Sequence, residues 1–232
     1  MLRRLLKASA VVAGAGLAVA GCSVTPMQAG AAAVMTSQRI TIATLDTEVT
    51  NLSQTVEQYP DTISLTAAEQ TQDTLTWLVR FQINEELARQ QGITISTAES
   101  EAALAEIYAA AKSEAEAEGL TNVTLDFILA YAGIPPNLSA ELGRYQAIDN
   151  QYVKNVSGGT IPTSSAGQTA ATNKLEHAQC VAAKSLSITI NPQFGRMDYS
   201  QPPYQVVSAP SPVSGTSGPA PTASPSGLAP AC

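Results

Sequence analysis

Apolar positions recur at helical spacing along most of the chain, and most fully between Thr66 and Gln91. Thr71, Leu75, Leu78, Val79, Ile83 and Leu87 form one continuous face there. Trp77 and Phe81 stand on an adjoining face. A helix that is apolar on two sides packs against neighbours on both. Thr66 and Glu69 make a capping box, because hydroxyl and carboxylate each satisfy a free backbone N–H. Gly92 follows the last turn, where a left-handed closing residue costs little. The segment holds the chain's single tryptophan, and we expect it to be the central helix of a small helical domain.

The flanking pattern extends this picture. Ala33-Val34-Met35, the polar Thr36-Ser37-Gln38 and then Arg39-Ile40-Thr41-Ile42 read as a strand, a turn and a return into a helix. Leu45, Val49, Leu52, Val56 and Tyr59 give the next helix one apolar stripe, stopped by Pro60. Ser96 and Glu99 repeat the capping box for a third helix running to about Glu118. A short fourth helix, Asn122 to Ala132, is closed by Gly133-Ile134-Pro135. Pro136 fits the opening turn of a fifth, with Leu138, Leu142, Tyr145, Ile148, Tyr152 and Val156 on one face. Ser157-Gly158-Gly159 breaks it, and a Ser/Thr-rich linker leads to a sixth helix from about Gln168 to Lys184. Leu186-Ser187-Ile188-Thr189-Ile190 alternates as a half-buried strand should.

From about Ala209 the composition falls to Pro, Ser, Gly, Ala and Thr, too little apolar surface to offset the entropy of ordering. The expected fold is therefore mainly α. A helical domain of about six helices spans residues 31–198, with a small two-stranded β element joining its early and late segments. Residues 199–232 are expected to be a disordered tail.

The first residues belong outside this domain. Arg3, Arg4 and Lys7 precede an apolar run from Ala8 to Ala20, too short for a comfortable membrane span. Val19-Ala20-Gly21-Cys22 then resembles the bacterial lipoprotein signal. The resemblance implies cleavage between Gly21 and Cys22 and lipidation of Cys22; residues 22–30, which carry little pattern, read as a spacer. The resemblance places the chain on the extracytoplasmic face of a bacterial cell membrane. One acyl chain binds a membrane only marginally, at about 0.8 kcal/mol per buried methylene, so stable anchoring takes more than one. Loss of residues 1–21 removes three positive charges and no negative one, so the net charge goes from −7 to −10. Such a domain lacks the basic surface that nucleic-acid binding needs, and anionic headgroups repel it.

Candidate chemistry is sparse. Glu99, Glu101, Glu106, Glu114, Glu116 and Glu118 make the third helix acidic, which reads as a solvated face because a hard-cation site needs ligands converging from several elements. His177 is the only histidine, expected at the surface or as a cap. There is no Cys-x-x-Cys pair, phosphate loop or Gly-x-Ser-x-Gly elbow, and no cofactor, metal or small-molecule substrate is implied. Four Asn-x-Ser/Thr triplets, at Asn51, Asn122, Asn137 and Asn155, are chance matches in a chain with a bacterial signal. Cys180 and Cys232 are left after Cys22. They form a disulfide in a compartment that permits one, or Cys180 is a small buried hydrophobe and Cys232 a stray.

The lipoprotein signal, the early strand, Leu129-Ala130-Tyr131-Ala132-Gly133-Ile134-Pro135-Pro136-Asn137-Leu138, and the late Ser187-Ile188-Thr189-Ile190-Asn191-Pro192-Gln193-Phe194-Gly195 together resemble the SurA-type N-terminal chaperone domain of bacterial foldases. The resemblance covers about Ala31 to Asp198. It implies that the late strand lies beside the early one and that the helical domain holds unfolded secreted proteins. Those foldases insert a parvulin isomerase domain between the fifth and sixth helices, whereas only Asn155 to Gln168 intervenes here, so isomerase activity does not carry over. The expected function is a lipid-anchored, non-catalytic holdase for unfolded or secreted polypeptides, with Trp77, Phe81, Phe127, Tyr131 and Tyr145 as candidate client-binding residues. The alternative is an adaptor lipoprotein docking one envelope partner, its aromatics serving the core.

Overall fold

The computed structural model describes residues 29–36, 38–200 and 204–208. The lipobox, Gly21, Cys22 and Cys232 lie outside them. The chain is mainly helical, with two small antiparallel sheets. Its elements run β1 (Ala31–Val34), β2 (Arg39–Thr41), α1 (Ile42–Val56), α2 (Ala67–Gln91), α3 (Thr97–Ala117), α4 (Leu125–Tyr131), α5 (Ser139–Val156), α6 (Ser165–Leu186), β3 (Thr189–Ile190), β4 (Arg196–Asp198) and β5 (Gln205–Val207). A 3-10 turn, Pro136–Leu138, leads into α5.

Helix α2 is the hub. It packs on α1, α5, α6 and β5, which explains why its apolar residues occupy more than one face. Thr66 and Glu69 form the expected reciprocal cap, and Gly92 closes the helix in the left-handed conformation. Leu75, Val79, Ile83 and Leu87 join Leu45 of α1, Ile148 of α5, Ala182 of α6 and Ile190 of β3 in the main core. Thr71 and Leu78 of the expected stripe are half-buried.

The two ends of the domain meet as the resemblance implied. Strand β1 pairs antiparallel with β3, Ala33 opposite Ile190 and Val34 opposite Thr189. Asn191 extends the clasp, its backbone N–H and its Nδ2 donating to the carbonyls of Ala32 and Ala31 at 2.8 and 3.0 Å. The sheet has three strands rather than the expected two, in the order β2-β1-β3. Strand β2, formed by the polar turn folding Arg39–Thr41 back on β1, supplies the third.

Two further expectations are corrected. The late strand is shorter than Leu186–Ile190: Leu186 ends α6 with its side chain in the core, and Ser187 caps that helix in the left-handed region. The alternating pattern therefore spans a helix end and a strand start, and only Thr189–Ile190 enter the ladder. The ordered domain also continues past residue 198. Strand β5 lies in the stretch assigned to the tail and pairs with β4, Met197 opposite Val206. Tyr204 and Val206 are both buried, which gives this polar-looking segment the apolar contacts that hold it.

Helix α3 packs closely along α5. A Cβ built on Gly143 would stand 2.5 Å from the backbone oxygen of Ser100, a group that cannot rotate away. On propensity alone, alanine in a helix interior gains about 1 kcal/mol over glycine. Forced separation of the two helices costs about 1–3 kcal/mol. Gly143→Ala is expected to be net destabilising, by about 1–2 kcal/mol on urea unfolding; a stabilised variant would mean that α3 stands further from α5.

Candidate functional site

The five candidate aromatics fall into two clusters on either side of α4, whose single turns face opposite ways. Phe127 and Ala130 enter one cluster, with Leu52, Val56 and Ile63. Leu129 enters the other, with Phe81, Ile134, Leu138 and Leu142. In the second cluster Trp77 lies 5.8 Å from Phe81 and 6.0 Å from Tyr145, and Phe81 lies 6.1 Å from Tyr145, measured between ring centroids. The Trp77 indole N–H donates to the Ala132 carbonyl at 3.3 Å, and the Arg80 guanidinium stands 4.9 Å over its ring. Trp77 and Tyr145 are half-buried and Phe81 is buried.

In the first cluster Tyr59 meets Phe127 edge-on at 5.0 Å, and Phe127 stacks on Tyr131 at 6.0 Å. Phe127 is buried, whereas Tyr131 is 62% exposed. The sequence-derived residues thus come together in pairs and triplets without lining a common cleft, and four of the five give most of their surface to packing. A cavity of about 80 Å³ lies between α2 and α5, lined by Phe81, Asn84, Glu85, Arg144, Tyr145 and Ile148 among others. At its rim Arg144 makes a two-pronged ion pair with Glu85, one prong at 3.0 Å. That volume takes a few waters.

Sequence reasoning missed the polar core. Asn84 of α2 is 1% exposed. It donates to the Tyr145 carbonyl at 2.8 Å and accepts from Gln179 Nε2 of α6 at 3.3 Å. Gln179 also donates to Asp149 of α5 at 3.2 Å. Three helices are thereby joined by one buried network, which is stabilising only while its members remain satisfied. Burial pushes the Asp149 carboxyl up to about 7, against the opposing hydrogen bonds of Asn84 and Gln179. The Tyr145 hydroxyl is pushed well above its ordinary range by burial and by the neighbouring Asp149. The available signal was Asn84 itself, a polar residue in the Trp77–Phe81–Asn84–Ala88 row that otherwise faces the core.

A second missed feature is a polar stripe on α2. Gln72, Thr76 and Arg80 lie four apart and all reach the segment at the end of the ordered chain. Gln72 Nε2 donates to Ser208 Oγ at 2.7 Å, the Val206 N–H donates to Thr76 Oγ1 at 2.9 Å, and Arg80 Nε donates to the Tyr204 carbonyl at 2.9 Å.

The other candidates are placed as follows. All six glutamates of the third-helix stretch are exposed, and among the described residues no group of three or more metal-ligating side chains converges. His177 is exposed on α6. Cys180 is 7% exposed and disulfide-bonded. The chain's other cysteines, Cys22 and Cys232, lie outside the described residues. Among the described residues no helix is long and apolar enough to cross a membrane.

No family model, curated protein or solved structure matches the chain. The class that the fold defines is a mainly α-helical domain with two small antiparallel sheets, one of which joins its early and late segments.

Proposed function

We propose that the protein is a lipid-anchored extracytoplasmic chaperone-type domain that binds polypeptide without catalysis. The observation that carries the reading is the pairing of β1 with β3, which closes early and late segments around one helical bundle. This is the arrangement expected of a SurA-type N-terminal domain. Between α5 and α6 only residues 157–164 intervene, a linker in the place where such foldases carry their isomerase.

The adaptor reading draws on a specific observation as well. Phe81 and Phe127 are buried, and Trp77 and Tyr145 are half-buried in packed clusters, so Tyr131 is the main aromatic surface of the five. A holdase that relies on exposed aromatic surface has little of it here. Light scattering separates the two. The mature chain without its lipid, in modest molar excess, is expected to slow aggregation of a chemically unfolded model protein. No slowing, together with capture of one stoichiometric envelope partner, would move the assignment to the adaptor.

A further inference from the structure

We propose that the Gln72–Thr76–Arg80 face of α2 is a docking site for an extended polypeptide backbone, and that residues Tyr204–Ser208 of the same chain occupy it in cis. The occupant in trans would be an extended segment of another polypeptide with apolar side chains two residues apart. This deepens the polypeptide-binding reading and rests on it.

The geometry is a match of two periods. Four residues of an α-helix advance about 6.0 Å. Two residues of a strand advance about 6.6 Å. Rungs at 72, 76 and 80 therefore stay in step with partners at 208, 206 and 204, and the three hydrogen bonds of 2.7–2.9 Å follow that order. Two of the three rungs hold main-chain groups, the Val206 N–H and the Tyr204 carbonyl, which every residue except proline presents alike. The third takes the Ser208 hydroxyl.

Strand parity agrees. Residues of one parity direct both backbone polar groups to the same edge of a strand. Strand β5 shows one edge to β4 through the Arg196–Val207 and Asp198–Gln205 pairs, and its other edge to α2. Over Tyr204–Val206 the side chains alternate as well: Tyr204 and Val206 are each 5% exposed, whereas Gln205 between them is exposed. Main-chain bonds for affinity and two apolar seats for alternate side chains are the elements by which an extended peptide is held at a strand-binding site. A cavity of about 10 Å³, room for about one water, remains between Arg80, Ile83, Tyr145, Gln179 and Tyr204.

The cis strand is held for exchange rather than locked. Its ladder partner among the described residues is β4 alone, over three residue pairs. A two-stranded hairpin of that length is marginal by itself. Its attachment thus depends on the α2 rungs and the two seats, which a second extended chain meets equally well.

The test uses the full mature chain and a fluorescein-labelled peptide bearing Tyr-Gln-Val-Val-Ser. Gly195→Ala loosens the cis strand without touching α2: Gly195 has φ +127°, and an added Cβ would stand 2.2 Å from the Val207 carbonyl oxygen. Fluorescence anisotropy is expected to show peptide binding at least tenfold tighter to this variant than to the parent chain. Adding Thr76→Val and Arg80→Gln is expected to remove that gain. Absence of binding to a Gly195→Ala chain with its helical circular dichroism intact overturns the proposal. Should the variant not fold, hydrogen exchange of the parent chain decides: the Val206 amide is expected to exchange through a local opening, at least a hundredfold faster than the Leu87 amide. Exchange of both at the global unfolding rate also overturns it. Slowed aggregation by the parent chain without peptide binding to the variant would sink the docking site and leave the polypeptide-binding reading standing. Peptide binding without slowed aggregation would do the reverse to the holdase.

Discussion

Leu87→Ala is expected to lower the unfolding free energy by about 3–4 kcal/mol. Leu87 is fully buried in the last turns of α2. It belongs to the core that collects α1, α5, α6 and β3 around that helix. Truncation of a buried leucine loses transfer free energy and leaves a cavity, together about 2–5 kcal/mol. The upper half of that range applies because α2 is packed on several sides, so no single neighbour can collapse into the gap. At about 2–4 °C per kcal/mol for a domain of this size, the midpoint of thermal unfolding should fall by about 10 °C. Urea unfolding followed by the fluorescence of Trp77, the one tryptophan, measures it directly. Leu104→Ala on α3 is the control, since Leu104 is only partly buried and should cost less. Equal losses at the two positions would mean that α2 is not the centre of the core.

Much of this architecture was legible because local chemistry and tertiary contacts agree. Thr66, Glu69 and Gly92 fix the ends of α2 by backbone hydrogen bonding and conformation, which are properties of a few adjacent residues. Ser96 and Glu99 do the same for the start of α3. The β1–β3 clasp was legible at one remove, through a resemblance, because nothing local in Ala33–Val34 says which of two distant strands it will meet. Strand β5 was not legible. Gln205-Val206-Val207 is short and follows Pro202 and Pro203, so its ordering comes from Thr76 and Arg80, more than a hundred residues away.

The candidate site divides the same way. Aromatic residues are visible in any sequence, but whether they line a cleft or fill a core depends on what faces them. Tyr131 ends α4 with one ring contact, to Phe127, and most of its surface exposed, while Phe127, one turn earlier, also sits against Tyr59. The buried Asn84–Gln179–Asp149 network needs three helices in register before it exists. Its one sequence trace, a polar residue in an apolar row, is shared by residues that end in solvent. The polar stripe of α2 is read in the same way only after β5 is in place.

Asp149 supplies the second large expectation, a stability that falls as pH rises from about 4 to about 7. An unfolded chain ionises this carboxyl near the ordinary value of 3.8, while burial holds the folded group to about 7. Between those values the folded state binds more protons than the unfolded one, so the slope of unfolding free energy with pH is negative. The favourable contribution is complete below about pH 4 and gone once pH passes the folded value. A shift of this size corresponds to at most about 4 kcal/mol, and about 2–3 kcal/mol allows for the partial solvent access of a half-buried residue. Glu86 acts in the opposite sense at lower pH. Its hydrogen bonds from Arg89, Gln90 and Ser185 hold it down to about 2, so its contribution is lost as pH falls from about 4.5 toward that value. Asp73, raised by burial and by Glu69, adds to the Asp149 limb. The two limbs oppose each other, the Glu86 limb below about pH 4.5 and the Asp149 limb above about pH 4. Asp149→Asn isolates the main term: urea unfolding should find it more stable than the parent at pH 8 by about 2–3 kcal/mol and little different at pH 4. A parent chain whose stability is level from pH 4 to 8, or a variant that keeps the decline, would show that the carboxyl stays hydrated and that α2, α5 and α6 are not joined there by a dry polar network.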